Sequence, residues 1–124
     1  MPRILVVEDE MLIAMLVEDW LAELKCETVG PTGSAAEALA LIEDGELDGA
    51  ILDVSLDGHD SFPIADALRV RNVPFVFATG HGFGHIAERF KDAPTLTKPY
   101  DFERVRATVA TLLERSAAGS RRAG

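Results

Sequence analysis

Four stretches of this chain lead into residues that can do chemistry. ILDVSLDGHD, residues 51–60, runs two apolar residues into Asp53 and then adds Asp57 and Asp60. RILVV, residues 3–7, runs into Glu8, Asp9 and Glu10. PFVFAT, residues 74–79, brings up Thr79 and Gly80, and TLT, residues 95–97, is followed by Lys98 and Pro99. Carboxylates gathered in one place repel one another unless water or a cation separates them. Glu8, Asp9 and Asp53 make an all-oxygen donor set of the kind that holds Mg²⁺ with several of its waters retained. A hydroxyl at Thr79, a backbone N–H at Gly80 and an ammonium at Lys98 can each take one oxygen of a phosphoryl group. A carboxylate is a poor nucleophile toward a dianion until that charge is neutralised, so metal and lysine belong to the same chemistry as the acids.

For these residues to meet, the intervening elements must return the chain repeatedly to one edge. Arg3–Val7 is β-branched and apolar, suited to a strand buried on both faces. Ile13, Leu16, Val17, Trp20, Leu21 and Leu24 recur at helical spacing, and the helix carrying them closes near Lys25. Glu27–Gly30 is a second strand, closed by Gly30 and Pro31. Ser34, three residues before Glu37, has capping-box spacing for a helix that buries Ala35, Ala38, Leu39 and Ile42 and stops at Gly45. Gly49–Val54 is the third strand, and Asp60 or Ser61 can cap a third helix with Pro63 in its first turn. PFVFAT is the fourth strand, GHGFGHIAERF a short fourth helix, and Thr95–Thr97 the fifth strand. Phe102, Val105, Val109, Leu112 and Leu113 mark a closing helix.

Five strands alternating with five helices predict an α/β domain, a five-stranded parallel sheet with helices on both faces and right-handed crossovers. Ligands of such sheets bind beyond the carboxyl ends of the strands, near the switch in strand order. All four chemical stretches fall there.

The 124 residues suit one domain, and a hydrophobic content of 48% can fill its core. The domain is expected over residues 1–115, with SAAGSRRAG, residues 116–124, as a frayed tail. Lys and Arg total 12 against 21 Asp and Glu, a formal charge of −9. That balance disfavours nucleic acid or an anionic membrane as partner and suits metal cations or basic protein surfaces. Cys26 is the single cysteine, which excludes an intrachain disulfide or a Cys-rich zinc site. The apolar run in MPRILVVEDE is too short for a signal peptide, and no stretch of the chain is apolar for long enough to span a bilayer. A cytoplasmic protein is the expectation.

Several features have simpler readings. Asp57-Gly58 is a turn and Asp60 a helix cap, so these two acids are solvated and only Asp53 calls for a cation. GHGFGH resembles a dinucleotide fingerprint, but its glycines fall at 80, 82 and 84, and His85 stands where the third is needed. His81 and His85 are spaced i,i+4 without a third ligand and read as exposed loop histidines. Met11, Leu12 and Met15 add apolar surface beyond one packing stripe, either as deeper burial, as ordinary exposed side chains, or as an adaptable docking face.

Taken in order, VVEDE (6–10), ILDVSLDG (51–58), FATG (77–80) and TKP (97–99) resemble the receiver domain of two-component response regulators. The resemblance covers all of the chain but the tail and implies a flavodoxin-like (CheY-like) (βα)5 fold that serves signalling and is not an enzyme. It implies that Asp53 accepts a phosphoryl group from a histidine kinase or histidine phosphotransfer protein. Glu8, Asp9, Asp53 and the backbone carbonyl of Ser55 would hold Mg²⁺, and Thr79, Gly80 and Lys98 would hold the phosphoryl oxygens. From the same source come a cis Lys98–Pro99 bond, partner docking through Met11, Leu12, Met15 and Pro99, and tuning of the acyl phosphate's lifetime by His81 with Ser55. A further, unidentified protein would receive the signal.

The chain departs from the family pattern twice. Glu8 stands where many relatives carry aspartate, and Thr95 where most carry an aromatic switch residue, with Tyr100 as its substitute. FATG together with a non-aromatic position 95 is similar to the FAT-GUY subgroup, whose members often stand alone. Two rival readings remain beside this one. One is a binding module that keeps the fold and works without phosphorylation. The other is a small phosphohydrolase of the haloacid dehalogenase type, which needs a second acid where Ser55 stands.

Overall fold

In the computed structural model, which describes residues 1–56, 59–79, 87–98 and 101–123, five strands form one parallel sheet. They are β1 (Arg3–Val7), β2 (Glu27–Thr32), β3 (Gly49–Asp53), β4 (Phe75–Thr79) and β5 (Thr95–Thr97), in the spatial order β2-β1-β3-β4-β5. Among the described residues there are four α-helices: α1 (Met11–Glu23), α2 (Ala35–Asp44), α3 (Phe62–Val70) and α4 (Phe102–Ala123). A two-residue antiparallel ladder pairs Ser55–Leu56 with His59–Asp60 just after β3. The strand order reverses between β1 and β3, so the switch point lies where the acids were expected.

The runs that read as strands are apolar because helices cover the sheet on both sides. Every residue of β3 and β4 is buried, as central strands of a doubly covered sheet require. Side chains alternate between two cores. Leu5, Val7, Leu52 and Phe77 meet Ala38 and Ile42 of α2 and Ile64 and Leu68 of α3. On the other face, Ile4, Val6, Ile51 and Val76 meet Val17 and Leu21 of α1 and Val105, Val109 and Leu112 of α4. Each such aliphatic side chain contributes about 1.5–3 kcal/mol by leaving water.

Local signals set most of the boundaries. The Ser34 hydroxyl accepts from the Glu37 N–H at 3.2 Å and starts α2. Lys25, in the left-handed region at φ 63°, turns the chain out of α1 where the pattern closes that helix. At α3 the cap comes from Asp60, whose Oδ1 accepts from the Phe62 N–H at 3.1 Å, while Ser61 donates its hydroxyl to the Val54 carbonyl.

Some expectations are corrected. Leu16 is exposed, because α1 packs through Ala14, Val17 and Leu21 and Leu16 lies about 100° round the helix from Val17. Ala35 is exposed at the first turn of α2. β2 runs two residues past Gly30, and β3 ends at Asp53. Where a fourth helix is predicted, the described residues form one 3-10 turn, Glu88–Phe90, and residues 80–86 lie outside them. Phe90 is fully buried and anchors that turn among Phe62, Phe75 and Phe77. Arg89 clamps it to α3 through Asp66 at 2.9 Å. At the other end, α4 continues to Ala123 through the expected tail. Alanine and arginine favour helix, and the single Gly119 costs about 1 kcal/mol, too little to stop one already docked by Val105, Val109 and Leu112. No helix among the described residues is long and apolar enough to cross a membrane.

Candidate functional site

The strand register brings the distant residues to one edge. Val7 pairs with Leu52, so Glu8 and Asp53 follow side by side. Asp53 pairs with Ala78, and Thr79 with Thr97, which places Thr79 and Lys98 beyond them on the same edge. The Lys98 N–H donates to the Thr79 carbonyl at 2.8 Å and extends this alignment. Glu8, Asp53 and Thr79 are buried and Asp9 is exposed. One carboxylate oxygen from each of Glu8, Asp9 and Asp53 lies within 4.8 Å of the other two.

Gly30 and Gly33 shape this corner. Gly30 adopts φ +91°, and a Cβ there would meet the Thr32 nitrogen at 3.0 Å and the Val6 carbonyl at 3.2 Å. Around it the register shifts, from Leu5 opposite Val29 to Val7 opposite Thr32. The Thr32 carbonyl thereby accepts from the Glu8 N–H at 2.9 Å. Next, Gly33 lets the loop close on the acid pair, since a Cβ there would stand 3.0 Å from the Asp9 Cα and 3.2 Å from its Cβ. In the sequence the signal is the run Gly30-Pro31-Thr32-Gly33, of which Gly30 and Pro31 mark only the close of the expected strand.

Lys98 ties the acids together. Its ammonium lies 2.8 Å from Glu8 Oε1 and 3.0 Å from Asp53 Oδ2, with Glu10 Oε1 at 3.8 Å. The Asp53 contact is an aligned hydrogen bond. Glu8 Oε1 is different: fully buried, it has the ammonium close by but no aligned hydrogen bond. The contact is therefore an ion pair without direction, and the distance outweighs the missing alignment in showing that the charges interact. The other Glu8 oxygen accepts from the Glu10 N–H at 3.0 Å. Burial, with Asp53 adding to it, pushes the Glu8 carboxyl up to about 7, against the opposing pull of Lys98. For Lys98, burial works toward neutrality, but the attraction of the Glu8 carboxylate and the hydrogen bond to Asp53 outweigh it and raise the ammonium above its ordinary range. The lysine stays charged, and Glu8 is the group whose proton is in play near neutrality.

The donor set fits a hard divalent cation. Three carboxylates converge, one keeps a buried oxygen without a directed partner, and exposed Asp9 leaves a way in for an ion and its waters. Glu8, Asp9 and Asp53 are the residues that would hold it. Ser55 opens the short ladder two residues past Asp53. Gly80, His81, Pro99 and Tyr100 lie outside the described residues, and the Lys98–Pro99 bond with them. Thr95 is half-buried opposite Phe77 and helps line a cavity of about 170 Å³ with Val76, Pro94, Thr108 and Leu112. Met11, Leu12 and Met15 are 76%, 79% and 54% exposed, and Leu16 beside them 49%. Deeper burial of this face is thereby excluded.

A parallel sheet covered on both faces, with an acid trio at its switch point and a lysine closing on it, defines a receiver-type signalling domain. The chain belongs to the response regulator receiver domain family, whose profile matches residues 4–110. It is similar to SdrG from Sphingomonas melonis Fr1, a solution structure, at 48% identity and a TM-score of 0.81, covering 91% of this chain and 97% of that one. TrrA from Thermotoga maritima, crystallised in complex with Mg²⁺-BeF, superposes with a TM-score of 0.80 at 27% identity, over 91% of this chain and 100% of that one. The transcriptional regulatory protein TcrA of Mycobacterium tuberculosis is 32% identical over 120 residues, 91% of this chain and 46% of its own length. The chain thus spans about half the length of curated relatives such as TcrA.

Proposed function

We propose that this chain is a phosphoacceptor switch of two-component signalling, working alone or as one station of a phosphorelay. One observation carries the reading: Glu8, Asp9 and Asp53 converge within 4.8 Å while the Lys98 ammonium reaches Asp53 at 3.0 Å. In the proposed reaction an Asp53 carboxylate oxygen attacks the phosphorus of a phosphohistidine on a kinase or phosphotransfer protein. The P–N bond breaks, its electron pair returns to the imidazole, and Asp53 becomes an acyl phosphate. Glu8, Asp9, Asp53 and the Ser55 carbonyl would hold a Mg²⁺ ion, which would supply positive charge to offset the acids and the phosphoryl oxygens.

The chain's own residues do the rest. Lys98 remains charged and turns from Glu8 toward a phosphoryl oxygen, the Thr79 hydroxyl donates to a second, and the Gly80 N–H to a third. Taking hold of these new oxygens favours one arrangement of the β4 and β5 ends over another, a population shift that a downstream protein reads. Met11, Leu12 and Met15, with Pro99, form the surface that receives the phosphodonor. His81 tunes the lifetime of the acyl phosphate. Thr95 and Tyr100 share the switching role that an aromatic residue at position 95 would otherwise fill.

The test is labelling by acetyl phosphate in Mg²⁺, followed by retardation of the phosphoprotein on an affinity gel. Wild type shifts and Asp53→Ala does not. A retarded band in Asp53→Ala refutes the assignment.

A further inference from the structure

Glu10 stands where the start of a helix ordinarily takes a capping side chain, yet it makes no side-chain cap hydrogen bond. Its backbone N–H serves Glu8, and its carboxylate lies 3.8 Å from the Lys98 ammonium. That side chain is 64% exposed and stands outside the trio whose oxygens converge. Glu8 and Asp53 are buried, so exposed Asp9 and Glu10 mark the open side of the cluster. A donor arriving from that side meets Glu10.

Among the described residues, four carboxylates, those of Glu8, Asp9, Glu10 and Asp53, thus share this edge with one ammonium. A divalent cation and Lys98 together offset three of them, and Glu10 is the charge left over. We infer that Glu10 is a selectivity residue for the phosphoryl donor: it engages Lys98 from the solvent side and disfavours small dianionic donors relative to donors that bring less negative charge to the rim. This rests on the acceptor role proposed for Asp53. The effect is electrostatic, so it depends on donor charge and fades with salt.

Two small donors separate charge from structure. Acetyl phosphate is a dianion: as Asp53 bonds to phosphorus, the P–O bond to the acetyl group breaks and acetate leaves. Phosphoramidate carries a protonated nitrogen and one unit less of negative charge: its P–N bond breaks and ammonia leaves. Initial labelling rates of wild type, Glu10→Gln and Glu10→Asp are measured with both donors in Mg²⁺, at low and high salt. Glu10→Gln is expected to raise the acetyl phosphate rate about threefold at low salt and the phosphoramidate rate by less, with the difference closing at about 1 M salt. Glu10→Asp keeps the charge and the wild-type donor ratio. Equal changes for both donors, a fall in the acetyl phosphate rate, or the same ratio shift in Glu10→Asp as in Glu10→Gln overturns the inference while leaving the acceptor role standing. A wild-type protein labelled by neither donor removes both.

Discussion

Lys98 and Asp53, 45 residues apart in the chain, meet through an aligned hydrogen bond of 3.0 Å between ammonium and carboxylate. Glu8 shares the same ammonium at 2.8 Å, and all three groups are largely withdrawn from solvent. Taking one partner from such a set leaves the others as uncompensated buried charge. Lys98→Met is expected to cost about 3 kcal/mol of folding stability in metal-free buffer. Much of this should return in Mg²⁺, because a cation answers the same charges. Urea unfolding with and without the ion measures it, and equal losses under both conditions would point to packing.

Glu8 sets a pH dependence whose sign is fixed by its surroundings. Burial and Asp53 push its carboxyl up to about 7 from 4.5. Between those values the folded chain holds a proton that the unfolded chain has released. The resulting stability is present in full below about 4.5 and is lost as pH rises through about 7. In metal-free buffer, the melting temperature should therefore fall between about pH 4.5 and about pH 7 and level off above that, and Glu8→Gln should flatten that fall. Calorimetric scans across this range decide it.

Gly33 has no room for a side chain against Asp9. Gly33→Ala would place a Cβ 3.0 Å from the Asp9 Cα, so the backbone carrying that carboxylate must move. Displacing a group that orients a metal ligand weakens binding by about tenfold or more. Isothermal titration with Mg²⁺ should show that loss in a protein whose circular dichroism is unchanged. Undiminished affinity would mean the loop gives way instead of Asp9.

The exposed start of α1 gives a prediction about partners. Changing both Met11 and Met15 to Glu should leave stability within about 0.5 kcal/mol, since both side chains face solvent. Transfer from a phosphorylated protein donor should slow, while labelling by acetyl phosphate continues. Unchanged transfer would remove this face from the docking surface.

How far the sequence could be read differs between elements for physical reasons. Strands such as β3 and β4 announce themselves because burial on both faces demands unbroken apolar runs. Ser34 and Glu37 announce α2 because a cap is a local hydrogen bond. The edge acids and Lys98 were legible as a set once alternation of elements implied where strand ends meet. Thr32 and Gly33 were not, because their importance lies in contacts with Glu8 and Asp9 from another strand, to which local patterning is blind. Exposure of Leu16 escaped for a related reason: the apolar positions of α1 exceed one stripe, and only the sheet beneath decides which of them it covers. The 3-10 turn at Glu88–Phe90 is held by Phe90 packing among Phe62, Phe75 and Phe77, a tertiary contact that local patterning does not show.

The placement of β5 at the far side of the sheet has a consequence for synthesis. The acids arrive with residues 8 and 53, but the ammonium that quiets them arrives only with residue 98, just past β5. Until β5 docks, the carboxylates stand without this counter-charge, so the charge balance of the edge is completed late, in a single docking event.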